Sequence, residues 1–215
     1  MAMEDLLECE AKLESFWRRA LRCRVCPTIA PYRKFPRASH GTPRYGLMLI
    51  GEAPGRVSLD NGRAFSNPRN LTIRRAFSQA VAPRDFQLEE IFYLTDVVKC
   101  WPASTSGANR SPSRLETITC LERHLRLEFE LIQPRLVLTF GLVASSAVFG
   151  RPISLVEAHG KRHVTDAGVR LIPFMHPSTA NVMGLRRVGL SSLSDYEAQL
   201  STVLRSELRA FGLVE

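Results

Sequence analysis

Glu52 stands between two glycines in the run Tyr45-Gly46-Leu47-Met48-Leu49-Ile50-Gly51-Glu52-Ala53-Pro54-Gly55, where an apolar stretch breaks into a turn. A lone carboxylate there can orient or deprotonate a water, or oppose a developing positive charge. Ten residues on, Gly62-Arg63-Ala64-Phe65 can bring an aromatic face within reach of whatever the carboxylate attends. A second set of chemistry-bearing residues is the cysteines. Cys23 and Cys26 form a C-x2-C pair before Pro27, Cys100 closes an apolar run, Cys120 lies in the following helical segment, and Cys9 stands apart. Four such thiols point to metal ligation rather than disulfides, and all-thiolate ligation suits zinc or an iron-sulfur cluster; spacing does not choose between them.

These residues need a frame to hold them. Apolar runs bounded by Gly and Pro predict buried strands at 46–50, 91–98, 136–140 and 171–175. Residues 3–22 carry Leu6, Leu7, Leu13, Phe16, Trp17 and Leu21 at near-helical spacing, and helical patterns recur at 70–82, 113–132, 142–149 and 194–211. Strands alternating with helices imply a three-layer α/β/α fold around a four-stranded, mostly parallel sheet, with right-handed crossovers. Open sheets of this kind place their sites beyond the carboxyl ends of the strands, where Glu52 falls. The polar stretch 101–112 is long enough to be a binding loop. One domain over 1–215 is expected, with the first helix and the cysteine pair clipped to the core by the metal site.

Lys+Arg 29 against Asp+Glu 21 gives a formal charge of +8, which favours a polyanionic partner, nucleic acid first. The excess is almost all arginine, since lysine occurs only at positions 12, 34, 99 and 161. Arg18, Arg19, Arg22 and Arg24 flank the cysteine pair, and Arg186 and Arg187 follow a glycine. No apolar stretch of membrane-spanning length and no secretory leader is read, so the expectation is a cytoplasmic protein without a membrane partner, and a monomer.

Taken together, Gly51-Glu52-Ala53-Pro54-Gly55, Gly62-Arg63-Ala64-Phe65, Leu94-Thr95-Asp96-Val97-Val98-Lys99-Cys100 and His176-Pro177-Ser178 resemble the family 4, iron-sulfur branch of the uracil-DNA glycosylase superfamily. The resemblance extends to Asn109-Arg110-Ser111-Pro112, the four cysteines, and the strand-turn from Leu136 to Gly141 with Ala144. It implies a [4Fe-4S] cluster on Cys23, Cys26, Cys100 and Cys120, and hydrolysis of the bond between a deaminated base and deoxyribose after the nucleotide leaves the stack. By the same resemblance Glu52 activates water and His176 hydrogen-bonds the base oxygen. Phe65 stacks on the flipped base, with Asp96, Gly51 and Ala53 around it. Ser178 and the amides near Gly55 and Gly141 contact phosphates, and 183–187 enters the duplex with Leu185 or Met183 as wedge and Arg186 and Arg187 on the backbone.

The departures are specific. Arg56-Val57-Ser58-Leu59 replaces the acidic residues after the first motif, leaving only Asp60, and Ser66-Asn67-Pro68-Arg69-Asn70 replaces a small glycine-containing stretch. Asn109 stands near the position where covalent-trapping relatives carry histidine. Asp96 replaces the asparagine that reads the uracil edge, and an ionised aspartate only accepts hydrogen bonds. A neutral Asp96 could donate and accept as asparagine does. The reading is a monofunctional uracil-DNA glycosylase of base excision repair, with uracil-containing DNA as partner. The alternatives are a glycosylase for another deaminated base, or a non-catalytic protein that binds uracil or lesion DNA.

Overall fold

Alternate residues of the central strands face opposite sides of a sheet, and here both sides are apolar. The computed structural model describes residues 3–29, 31–67, 71–177 and 182–215. Its strands are Leu47–Gly51 (β1), Tyr93–Asp96 (β2), Leu136–Phe140 (β3), His163–Val164 (β4) and Arg170–Phe174 (β5), in the order β2-β1-β3-β5-β4. β1, β2, β3 and β5 run parallel, and β4 is an antiparallel edge. The helices are Met3–Arg22 (α1), Arg56–Asp60 (α2), Thr72–Val81 (α3), Leu88–Ile91 (α4), Arg114–Cys120 (α5), Arg126–Ile132 (α6), Leu142–Phe149 (α7), Leu155–Ala158 (α8), Val182–Arg187 (α9) and Leu193–Ala210 (α10). A π-helical turn, Leu121–Leu125, joins α5 to α6.

Leu47, Leu49, Leu94, Leu138 and Phe174 turn to one side, where Phe77 of α3 and Tyr196, Leu200 and Leu204 of α10 close the core. Met48, Ile50, Tyr93 and Val137 turn to the other, against Cys9 and Leu13 of α1, Ile132 of α6 and Ala144 of α7. These are the expected three layers. The fifth strand is the difference: two residues show no period that a sequence can reveal. The strand expected at 91–98 begins later, because Gln87 and Glu90 form a capping box that starts α4. None of the described helices is long and apolar enough to cross a membrane.

The chain leaves β1 for β2 on one side, and β3 for β5 on the other. Neighbouring strands whose connections part in this way leave a crevice at their carboxyl ends. Four of the loops discussed next begin there.

Candidate active site and cysteine site

A cleft of about 560 Å³ opens at that edge, lined among others by Glu52, Phe65, Asp96, Asn109 and His176. Each comes from a different segment, and the sheet brings them together. Parallel pairing sets Gly51 beside Asp96, and the pairing continues past the strands through Val97 N–H to Gly51 O (3.0 Å) and Val98 N–H to Glu52 O (3.0 Å). Glu52 is half-buried. Across from it, Gly141 caps α7 at φ +98°, and a Cβ there would lie 3.7 Å from His176 Cβ and 3.9 Å from Glu52 Oε2. Glycine tolerates that backbone, and its missing side chain leaves Glu52 Oε2 and the base of the His176 side chain close beside it.

His176 is open to the cleft, yet the surrounding protein desolvates its ring and lowers its pKa below the ordinary 6.5. At neutral pH the imidazole is therefore uncharged. A side chain both accessible and desolvated lies in a concavity, where a ligand would complete the exclusion of water. The peptide just before it is gripped twice: Met175 N–H donates to His159 Nδ1 (3.0 Å) and Tyr196 OH donates to Met175 O (2.7 Å).

Phe65 adopts φ +52°, a region that aromatic residues rarely occupy, with its ring edge-on to Phe140 at 5.7 Å. Such strain persists only where the surroundings impose it, and it clusters at functional sites. Here the turn holds the ring at the wall of the cleft. Asp96 is buried, with its carboxyl against Gly51. Burial raises its pKa from 3.8 to about 7; Lys99 opposes this, while Glu128 and Glu52 add to it.

A methyl group at Gly51 would overlap Asp96 Oδ1 and come within 3.4 Å of the Phe65 ring. Gly51→Ala is therefore expected to lower the unfolding free energy by about 1–3 kcal/mol, as overpacking of a filled site does. Urea titration checks this; unchanged stability would mean that the carboxyl swings aside freely.

Asn109, on the long loop, accepts at Oδ1 from Trp101 Nε1 (2.8 Å) and from Arg56 N–H (3.1 Å). It pins the loop over the turn after β1, and Gly55 leaves room for its Nδ2 at 3.5 Å from the Cβ position. Asp60 pairs with Arg33 and stays outside the cleft lining.

Ala53 also lines the cleft, and Arg186 and Arg187 are exposed on α9. The segment expected to be a loop entering the duplex is this short helix, and Leu185 is not available as its wedge. Leu185 is 1% exposed and packs in the core, because α9 turns that side inward; Met183, 70% exposed, is the apolar residue left outside. Ser178 lies outside the described residues.

The four cysteines line a second pocket, with Ile29 and Val98 as apolar walls and Lys34 and Arg123 among its cations. Cys100 and Cys120 are buried, Cys23 and Cys26 half-buried. Burial pushes the Cys120 thiol up to about 12, against the nearby Lys99, whose N–H donates to its Sγ at 3.2 Å. Among the described residues no aspartate or glutamate lines this pocket, while His124, its pKa lowered to about 4 by burial, does. Among the described residues, no three His, Cys, Asp or Glu side chains converge on a single ion. Four thiols spread around one pocket fit a polynuclear cluster, in which each iron takes one thiolate. Cys9 is elsewhere, donating to Leu131 O.

The network behind β2, Lys99 with Glu128, Tyr93 and Thr95, was not expected. One signal was available. In the helix 113–132 Glu128 continues the stripe of Leu121, Leu125 and Ile132, an acidic residue in an apolar row.

Comparison with known proteins points one way. A model of the uracil DNA glycosylase superfamily matches residues 38–195. The chain is similar to a type-4 uracil-DNA glycosylase of Pyrobaculum aerophilum, 31% identical over 140 residues that cover 65% of this chain and 62% of that protein. It is similar to the type-4 uracil-DNA glycosylase of Sulfurisphaera tokodaii, 25% identical over 175 residues covering 78% of this chain and 75% of that one. A type-5 uracil-DNA glycosylase of P. aerophilum is 28% identical over 197 residues, covering 79% and 84%. The match to the first of these spans less than two thirds of that relative's own length.

Proposed function

The chain belongs to the uracil-DNA glycosylase superfamily, and from that premise we propose that it is a monofunctional uracil-DNA glycosylase of base excision repair. The observation that carries the reading is the meeting of Glu52, Phe65, Asp96 and His176 in one cleft at the carboxyl edge of the sheet. A flipped deoxyuridine enters with its base on Phe65 and its polar edge toward Asp96. Glu52 orients a water, takes its proton, and opposes positive charge on the sugar as the bond to the base lengthens. Neutral His176 donates to the base oxygen on which negative charge collects. The water oxygen bonds to C1′, the base departs with the glycosidic electron pair, and an abasic site remains. No lysine lines the cleft among the described residues, so no amine is placed to form a Schiff base with that product.

Gly55, Gly141, Ser178, Arg186 and Arg187 carry the DNA backbone in this reading, with Met183 as the wedge. Cys23, Cys26, Cys100 and Cys120 would hold a [4Fe-4S] cluster, which would fasten the segment after α1 to the segment after β2 and to the end of α5. The supporting observation is that all four thiols line one pocket. Protein purified without oxygen is expected to be brown and to contain iron, because thiolate-to-iron charge transfer absorbs visible light. Stoichiometric zinc without iron is the opposing result.

The experiment for the activity is incubation with uracil-containing single and double strands, followed by alkaline cleavage of abasic sites. Cleavage only on strands bearing another deaminated base selects a different substrate, a reading Asp96 keeps open. Tight binding without abasic sites selects a sensor. Binding is also expected to weaken steeply with salt, since each neutralised phosphate contributes about −0.9 to the logarithmic slope. A titration of affinity from low to moderate salt checks this, and a flat response would make the charge merely compositional.

A further inference from the structure

Behind β2, away from the cleft, Lys99 and Glu128 form an ion pair with side chains 1% and 0% exposed. The Lys99 ammonium also donates to Thr95 Oγ1 (2.8 Å) and to the Asp96 carbonyl, so its three donors are all engaged. Glu128 Oε1 accepts from Tyr93 OH (2.8 Å) and Thr95 Oγ1 (2.9 Å), and Tyr93 OH accepts from Trp17 Nε1 (2.8 Å). A buried pair of this kind contributes little net stability, because desolvation offsets its attraction. A fully satisfied network does fix geometry.

What it fixes follows from where Lys99 stands. Its backbone N–H donates to Cys120 Sγ, and Cys100 is the next residue. Its ammonium holds the carbonyl of Asp96, whose carboxyl lies against Gly51 in the cleft. Glu128 reaches it because of the π-helical turn at Leu121–Leu125. In an unbroken α-helix, residues eight apart point about 80° from each other, at 100° per residue. One extra residue in a turn brings them back to within about 20°, so that Cys120 and Glu128 both face Lys99.

We propose that Lys99, held by Glu128, is a positioning residue that ties the cysteine site to the base-reading end of β2 and keeps the Asp96 carboxyl in the cleft. The proposal rests on the glycosylase reading for its effect on catalysis, but not for its geometry. Lys99→Met combined with Glu128→Leu removes both charges together and leaves neither buried alone. The variant is expected to keep the iron content and circular dichroism of the parent. Its single-turnover excision of uracil should fall at least about tenfold, with DNA affinity within about threefold.

Carbon-13 NMR of the aspartate-labelled protein, without DNA, reads the Asp96 carboxyl directly. Of the groups facing it, Glu52 remains, while Lys99 and Glu128, whose influences oppose one another, are both gone. A midpoint lower by about one pH unit or more then reports a carboxyl that has gained solvent. Unchanged excision and titration in a variant of parental iron content overturn the proposal. A parent that excises no uracil defeats the glycosylase reading, and the titration still decides this one. If the double variant does not fold, Thr95→Val, which removes only the hydroxyl between Lys99 and Glu128, replaces it. A smaller fall in the same two quantities supports the proposal, and parental values overturn it.

Discussion

Glu52→Gln is expected to lower the single-turnover rate of uracil excision by about 10²- to 10⁴-fold, with DNA affinity changed by no more than about threefold. Glutamine keeps the size of the side chain and one acceptor oxygen, so the turn after β1 and the approach over Gly141 survive. What disappears is the charge and the basicity. In the proposed reaction both act on species that arise only near the transition state: a water losing its proton, and a sugar gaining positive charge. In the proposed reaction neutral His176, whose Cβ lies beside Gly141 as the Glu52 carboxylate does, would act on the opposite end of the breaking bond. Rate under excess enzyme and a dissociation constant for uracil-containing DNA, measured on the same preparation, separate the two effects. Equal losses in both would assign Glu52 a structural role.

Asp96→Asn is expected to stabilise the protein more strongly the higher the pH, by on the order of 4 kcal/mol at pH 8 relative to pH 3. The sign follows from the direction of the shift. Burial raises the folded-state value to about 7 from an ordinary 3.8. Below 3.8 the carboxyl is protonated whether the chain is folded or not, and its titration contributes nothing. Between 3.8 and about 7 the unfolded chain releases the proton while the folded chain retains it, so stability falls throughout that window. Above about 7 both forms are ionised and the loss stays constant. Asparagine does not titrate. Urea titrations of parent and variant across this range isolate the effect by difference, and a difference that does not change with pH would show that the carboxyl is solvated.

The same titration bears on base reading. Neutral Asp96 can donate to uracil O4 and accept from N3–H, whereas the ionised form can only accept. Excision by the parent should therefore fall as pH rises through about 7, and Asp96→Asn should remove uracil with that fall flattened. Identical rates and profiles would mean that another group reads the base. Excision by the variant alone would mean that the natural substrate is a different base.

Much of the frame was legible in the chain. Helix α1 spans 3–22 as its spacing of Leu13, Phe16 and Trp17 predicts, and β3 and α7 occupy the expected 136–140 and 142–149. Such elements show in sequence because the period of an apolar face and its Gly or Pro boundary are local properties. Glu52 was legible for a related reason, standing just past the end of an apolar run that forms a strand, whereas His176 was named only through the family resemblance.

Tertiary structure decided the rest, wherever the outcome depended on residues far apart in the chain. Leu185 looked like any leucine on a basic turn, and only the packing of α9 against the core turned it inward. The charge of Asp96 could not be read from its neighbours in sequence, because Gly51, Glu52 and Glu128 reach it through strand pairing and helix packing. Glu128 broke the pattern of its own helix, but its partner Lys99 lies 29 residues away. Strand order, which no local period encodes, determined which carboxyl ends meet and hence that these side chains share one cleft. Local patterns in the chain set the elements and the chemical groups they carry, and long-range packing set which groups come together, and so their burial and charge.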